Sequence, residues 1–512
     1  MMHLCQPMLD ILLRRSIDDV DEFLAPPSWA RMPSSSTIEG VDDAVRRLVR
    51  AAQRKERAVI YGDYDCDGVL ATAILAATLR RVGLTCATYV PHRDEGYGFS
   101  SEALHRFSRQ GFQLILMVDN GINAQMPVRV AQRLGIDTLV VDHHLIDTRA
   151  STLAVWSPKF SAAGLALLLS RALLEHSAVP DGQAVALLDS LGRLAAIAAI
   201  ADCVPLTGSN RLLTRLGIEA LQDTRHSGLR KLLDLAGVAK GKAPTSEQIA
   251  FRIAPRINAA GRMDHPRLVL EMLAASSDAA VEGALVLDRL NQERRRVERT
   301  VFAQLIEQVG DCRDTALVIY GECWPKGIAG ILAARAAEHY GVPAIVLVRD
   351  QRTCLAVGSG RSVRGLNLIR ALRQSSQHLL RFGGHEQAAG LTLAVEAIPE
   401  FRESFLAAVA KEPLRPDDSK LEDAELTLHG LPKDFFLQLQ QLEPFGIGNP
   451  APVFRIPLVV AGPARSGRFH LQQGQNRLQV RSGKVIVPAG QQGTAWVEMT
   501  GSESTLVRFL AA

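Results

Sequence analysis

The stretch AVIYGDYDCDGVLATAIL, residues 58–75, sets Asp63, Asp65 and Asp67 at every second position, between a short apolar run and a helix-like one. Three carboxylates this close repel one another, and burying them together is unfavourable unless a cation offsets their charge. More hard ligands follow: Asp119 in MVDNGI, Asp142-His143-His144 in VVDHHL and Asp202 in IADCVPL. Each follows an apolar run, so each is read as a strand end. A single Asp there could equally be a helix N-cap. Four such positions on one sheet edge point to metal instead. Carboxylates with one or two imidazoles suit Mn²⁺ or Mg²⁺. There are enough carboxylates for two ions sharing a bridging Asp. Such a pair, about 3.5–4 Å apart, can activate water and hold both oxygens of an in-line phosphoryl displacement.

Roles within the set differ. A spacing of two puts Asp63 and Asp65 on one side of an extended chain. Asp67, beside Gly68 at the helix start, reads as a cap or as support for the others. His143 and His144 are neighbours and can both ligate only if the backbone turns. His143 is the expected ligand, with His144 orienting water, substrate or a ligand.

Other residues could meet phosphate. In GSGRSV, residues 358–363, a strand is read as running into a Gly-rich turn. There the backbone N–H groups around Ser359 and Gly360 could converge on an anion, and Arg361 adds a fork of donors. A plain turn is the competing reading. RFGGHEQAAG places His385 after two glycines, and APRINAAGRMDHP carries Arg256 and Arg262. Taken singly, these three also read as a structural His and two surface Arg.

The elements that must position these residues alternate. AVIYG, TCATYV, LILMVD and DTLVVD read as strands, separated by helical runs, which implies a parallel sheet covered by helices on both faces. Ligands of such sheets lie at the C-terminal ends of the strands. Residues 161–280 read as mostly helical, and AVALLDSLGRLAAIAAIADCVPL as a buried helix rather than a membrane span, because it carries Asp189 and Arg193. LVLDRLNQERRRVERTVFAQLIEQ reads as one long charged helix. A second α/β pattern follows, with TALVIYG, PAIVLV and CLAVGSG as strands, a helical stretch over 399–411 and a polar linker KEPLRPDDSK. From about 425 short alternating runs split by Gly and Pro predict a small β-barrel. From 451 onward it carries Arg455, Arg465, Arg468, Arg477, Arg481, Lys484 and Arg508 against Glu498 and Glu503. A basic small barrel is a common single-strand binder.

At 512 residues the chain is too long for one ordinary core. With 47% hydrophobic and 22% charged residues it reads as globular. A net charge of +4 permits a nucleic-acid partner without requiring one. The 7 cysteines form no CxxC pair, which speaks against a disulfide framework or zinc finger and for a reduced cytoplasm. The first residues lack the apolar core of a signal peptide.

GDYDCDG, VDNGI, VDHHL, ADCVPL, INAAGR, GSGRS, GGHEQAAG and PFGIGNPAP occur in the order found in the RecJ exonucleases of the DHH phosphoesterase superfamily, which the chain resembles over nearly its whole length. The resemblance implies 5′-to-3′ degradation of single-stranded DNA to mononucleotides with two Mn²⁺ or Mg²⁺ ions. It implies Asp63, Asp65, Asp119, His143 and Asp202 as metal ligands, and His144 as a catalytic neighbour. His385 would contact the scissile phosphate. Arg93, Ser359, Gly360 and Arg361 would grip the 5′ phosphate, and Arg256 or Arg262 would stabilise charge on the phosphoryl oxygens. It implies an α/β fold: a parallel-sheet DHH domain with an N-terminal arm (1–280), a connecting helix (281–312), a smaller α/β DHH-associated domain (313–415) facing the metals across a cleft, and an OB-like barrel (421–512). The chain departs from the family at Trp324-Pro325, where a Trp-His pair is usual, and in a short loop after VDHHL. Single-stranded DNA is the expected partner, with a single-strand-binding protein or a helicase beside it, no membrane, and a monomeric chain. The alternatives are a phosphodiesterase of short oligonucleotides or cyclic dinucleotides, and a non-catalytic single-strand-binding scaffold.

Overall fold

A computed structural model describes residues 4–95, 98–312, 314–363, 365–412, 422–463, 465–483, 485–500 and 503–511. Lys484 and most of the linker KEPLRPDDSK lie outside the described residues. The chain forms two compact units, one of Met1–Val90, Gly98–Ala254 and Ser419–Ala512, the other of Pro91–Tyr97 and Pro255–Asp418.

In the first unit, β1 (Arg57–Tyr61), β2 (Thr85–Tyr89), β3 (Leu114–Val118), β4 (Asp137–Asp142) and β5 (Leu153–Trp156) form a parallel sheet in the order β2-β1-β3-β4-β5. Strand β5, only 4 residues long, escapes the periodicity reading. One set of alternate strand residues, Val59, Tyr61, Ile115, Met117 and Val140, shares a core with Leu104, Phe107, Val128 and Ala131 of the helices Ser101–Arg109 and Gln125–Arg133. The other set, including Ile60, Leu116 and Val141, is also buried, on the face where the helices Cys66–Arg81 and Ala162–Glu175 touch the strands. The strand order reverses between β1 and β3, which opens a crevice at their C-terminal ends.

Behind the sheet the chain is helical. The helix Asp181–Ala201 is long and apolar enough to cross a membrane, and it is the one such helix among the described residues. In this fold it crosses the helix Gly208–Gln222, so closely that a Cβ on Gly217 would lie 2.1 Å from the Gly192 carbonyl oxygen. Asp202 stands just past its last turn, not at a strand end as its apolar run suggested.

The same unit holds the barrel: β11 (Ala424–Glu425), β12 (Val453–Ala461), β13 (Arg468–Gln473), β14 (Asn476–Arg481), β15 (Gln492–Met499) and β16 (Ser504–Ala511). They run in the order β11-β12-β13-β14-β16-β15, and β12 pairs with β15 to close the barrel. Its core takes in Met8, Ile11 and Leu12 of the N-terminal helix Gln6–Arg14. The chain's beginning is thus built into the barrel near its end. The basic excess is partly offset: Arg455 pairs with Glu425, Arg481 lies 2.7 Å from Glu503, and Arg508 stacks 4.9 Å from the Trp496 ring centre.

In the second unit, β6 (Leu317–Gly321), β7 (Ala344–Arg349), β8 (Ala356–Arg361), β9 (Arg381–Gly384) and β10 (Ala388–Leu393) form a mixed sheet in the order β6-β7-β8-β10-β9. The charged helix spans Ser277–Val309, and Ile398–Lys411 closes the sheet's core with Phe401 and Phe405.

Candidate metal centre

The crevice beside β1, β3 and β4 collects the carboxylates. Asp63 leaves the end of β1, buried. Asp65 turns the chain into the helix Cys66–Arg81, its side chain accepting from the Gly68 N–H at 3.1 Å. Gly68 is required there, since a Cβ would lie 2.7 Å from the Asp63 backbone nitrogen. Asp67 does not cap its own helix. Its carboxylate accepts from the N–H groups of Ala162 at 2.6 Å and Ala163 at 2.9 Å, and so caps the helix Ala162–Glu175. Asp119 follows β3 with φ 60°, a left-handed conformation unusual for a residue with a side chain and concentrated at functional sites.

Asp142, at the end of β4, is buried and fully engaged. It accepts from the N–H groups of Ile122 (3.0 Å) and His143 (2.8 Å), and lies 2.7 Å from His144 Nδ1. That contact orients the His144 ring. The His143 ring turns into the cluster, its Nε2 3.2 Å from Asp119 Oδ1, 3.6 Å from Asp202 Oδ2 and 3.8 Å from Asp67 Oδ2.

Three overlapping triplets offer ligand atoms within 4.8 Å of one another: Asp63, Asp65 and Asp119; Asp119, His143 and His144; Asp67, His143 and Asp202. Asp119 belongs to two of them, as a bridging carboxylate must. Its Oδ1 is buried and accepts no hydrogen bond, which is costly for a carboxylate unless a cation completes it. Burial, then the charges of Asp67, Asp65, Asp63 and Asp202, hold the Asp119 carboxyl well above the usual range. Burial with Asp67 and Asp65 pushes Asp202 to about 9, and burial with Asp65 pushes Asp67 to about 7. This all-oxygen and imidazole set, crowded with like charge, fits a hard divalent ion.

The expected phosphate-binding residues lie in the second unit. The GSG run is not a turn: it is β8 itself, paired on one edge with β7 and on the other with β10. Its backbone groups belong to the ladders, so Gly360 offers no N–H to an anion, and the side chains of Ser359 and Arg361 remain. Arg361 Nη1 donates to Ser359 Oγ at 3.1 Å and to the Gly360 carbonyl at 2.9 Å. Burial lowers its pKa, and among the described residues no carboxylate pairs with it. A Cβ on Gly330, at the start of the helix Ala329–Tyr340, would come within 3.2 Å of Ser359 Oγ and 3.3 Å of Arg361 Nη2. Gly330 thus keeps a helix N-terminus open beside the guanidinium, a favourable place for an anion. The Gly of GIAG was the only sign of this in the chain.

Arg256 is tied to Asp288 at 2.8 Å, with both side chains largely buried. Arg262 Nη1 donates to the Gly327 carbonyl at 3.0 Å, and Arg93 Nε to the Gly261 carbonyl at 3.0 Å. His385 is exposed at the tip of the β9–β10 hairpin, its N–H donating to the Ala388 carbonyl at 2.8 Å. Trp324 Nε1 donates to Gln304 Oε1 at 3.0 Å, and Pro325 precedes the short 3₁₀ turn Lys326–Ile328.

Residues 57–192 match the DHH family, N-terminal domain; residues 313–411 match the DHHA1 domain, and residues 422–486 the RecJ OB domain. The chain is 34% identical to the single-stranded-DNA-specific exonuclease RecJ of Bacillus subtilis, over 88% of this chain and 58% of that one. It is 32% identical to RecJ of Escherichia coli, over 88% of this chain and 82% of that one. The fold is similar to RecJ of Thermus thermophilus in complex with Mn²⁺, with a TM-score of 0.84 and 27% identity, covering 99% of this chain and 76% of that one. The same Thermus protein has also been solved in complex with Mg²⁺.

Proposed function

The chain belongs to the RecJ family of single-stranded-DNA-specific exonucleases, and we propose that it degrades single-stranded DNA from the 5′ end at the Asp119-centred cluster. Its cofactor is a divalent metal, Mn²⁺ or Mg²⁺. The carrying observation is the shared position of Asp119 between two ligand triplets, with Oδ1 buried and lacking a hydrogen bond. Asp63, Asp65, Asp119, His143 and Asp202 would hold two ions. When bound, the ions supply positive charge that activates the attacking water and steadies the leaving oxygen.

The remaining work falls to the chain. Asp67 supports the cluster from the helix it caps. Asp142 holds His144 in one ring orientation, with Nδ1 toward the carboxylate, and the ring held this way would orient water or substrate. Arg361 and Ser359, beside Gly330, receive the terminal 5′ phosphate, with Arg93 as an added cation. Arg256, paired with Asp288, or Arg262, donating to the Gly327 carbonyl, would stabilise charge on the phosphoryl oxygens. His385 meets the scissile phosphate. The barrel holds the strand through its basic surface, with little sequence preference and marked salt sensitivity. A short dinucleotide would need no such barrel, and a non-catalytic scaffold would not need so complete a ligand set. We assign the chain to DNA repair and recombination in the cytoplasm, acting as a monomer alongside a single-strand-binding protein or a helicase.

The test compares the native chain with Asp119→Ala for strand binding in EDTA and for hydrolysis in Mn²⁺. The expected result is equal binding and hydrolysis lost in the variant. Hydrolysis that persists in Asp119→Ala removes the shared carboxylate, and with it the proposal.

A further inference from the structure

The segment PFGIGNP has no part in the chemistry above, yet it lies against the chain that follows Asp202. Asp202 alone among the proposed ligands stands at the C-terminal end of a helix, so nothing in the sheet fixes it. After it Cys203 takes φ 57° and the chain turns back. Three residues on, the Leu206 N–H donates to the Ile447 carbonyl at 2.7 Å. From the other side, Asn210 Nδ2 donates to the Pro205 carbonyl at 3.0 Å. Residues 203–207 are therefore clamped between the next helix and a turn that belongs to the barrel's own chain segment.

That turn is built to be stiff. Gly446 and Asn449 exchange hydrogen bonds, Gly446 N–H to Asn449 carbonyl at 2.9 Å and Asn449 N–H to Gly446 carbonyl at 3.1 Å. Gly448, at φ 77°, supplies the left-handed conformation the turn needs. The Asn449 side-chain amide donates to the carbonyls of Leu442 (2.7 Å) and Pro444 (2.9 Å). The Glu443 carboxylate accepts from Ser246 Oγ (2.8 Å) and the Phe445 N–H (2.9 Å), and Arg211 Nη2 donates to the Gln441 carbonyl at 2.9 Å. The turn packs directly against the Asp202 side. A Cβ on Gly446 would lie 2.8 Å from Leu206 Cδ1, and one on Gly448 would lie 2.9 Å from Thr207 Cγ2.

We propose that the turn Phe445–Asn449 is a positioning element for Asp202: by holding Leu206 it sets where the helix end presents its carboxylate to a divalent ion. The inference rests on the reading of Asp202 as a metal ligand. It makes the barrel segment part of the metal site's support rather than a strand-binding module alone. Ligand-supporting contacts of this kind carry about 10–100-fold in metal affinity.

The test is Mn²⁺ titration of the metal-free full chain by calorimetry. Gly446→Val drives a side chain into Leu206, and Leu206→Ala in the same chain makes room for it. The expected result for Gly446→Val is one of two Mn²⁺ ions weakened by about tenfold or more, with melting temperature and single-strand binding in EDTA unchanged. The double variant regains the ion. Asn449→Ala, which loosens the turn without adding bulk, should weaken the same ion. Two-ion binding as in the native chain in both Gly446→Val and Asn449→Ala, while Asp202→Ala loses an ion, overturns the inference and leaves the ligand reading standing. Native binding in Asp202→Ala overturns the ligand reading itself, and the inference with it. Loss of both ions with a fallen melting temperature in both turn variants also overturns the inference, since the turn would then serve folding alone.

Discussion

Asp142 Oδ1 lies 2.7 Å from His144 Nδ1, and the same carboxylate takes the backbone N–H groups of Ile122 and His143. One buried side chain thus fixes the turn that separates the two histidines and orients the second ring. Burial pushes Asp142 up, but its hydrogen bond and charge contact with His144, with the backbone N–H groups of Ile122 and His144, outweigh burial and leave it low. Burial pushes His144 down, and the same contact together with the charges of Asp63 and Asp65 outweighs it and raises the ring. The pair's contribution to stability has a definite window. The His144 part is fully present below its unfolded value, about 6.5, and is lost as pH rises through its raised folded value. Asp142→Asn should lower the His144 titration midpoint, read by NMR on the metal-free protein, and cost about 10–100-fold in hydrolysis. An unmoved midpoint contradicts the pairing.

A second pH effect has the opposite origin. In the metal-free chain burial and neighbouring carboxylates push Asp67 up to about 7 and Asp202 up to about 9. Their unfolded values are about 3.9. Between these limits the folded chain holds protons that the unfolded chain has released, so these groups make stability fall as pH rises. Added Mn²⁺ relieves that repulsion. The rise in melting temperature on adding Mn²⁺ should therefore grow from pH 6 to pH 8, and a rise independent of pH contradicts the account.

Asp119→Ala separates the two sides of that balance. The variant loses a buried carboxylate whose Oδ1 accepts no hydrogen bond. Thermal melting in EDTA should show it as stable as the native chain or more so, and melting in Mn²⁺ should show a reduced shift. A variant that melts lower in EDTA would mean that Asp119 serves packing rather than a cation.

Arg361 is a half-buried guanidinium with no acidic partner among the described residues, beside Ser359 Oγ and Gly330. Arg361→Ala should reduce the preference for a 5′-phosphorylated over a 5′-hydroxyl strand by about tenfold or more, the worth of charged hydrogen bonds. The rates on the two strands, measured side by side, check this; an unchanged ratio contradicts it.

Much of this site was legible because chemistry and periodicity coincide. Asp63 and Asp119 follow apolar runs that become β1 and β3, and His143 follows β4, as alternation predicts. Asp202 follows an equally apolar run whose length reads as the buried helix it forms, while its last residues taken alone look like a strand end, since a short apolar run does not separate the two. GSG reads as a turn because glycine usually breaks strands. Here a Cβ on Gly358 would lie 2.5 Å from the Val346 carbonyl oxygen, so the close neighbour strand demands glycine. The cap that Asp67 provides for Ala162–Glu175, and the place of Met8, Ile11 and Leu12 in the barrel core, join residues far apart in the chain. No local pattern records such contacts.

The measurement that bears most directly on the account is digestion of single-stranded DNA labelled at its 5′ end or at its 3′ end, in Mn²⁺ and then in EDTA. Labelled mononucleotide should be released early from the 5′-labelled strand, late from the 3′-labelled strand, and not at all in EDTA. Early release from the 3′ end, or hydrolysis that survives EDTA, would contradict it.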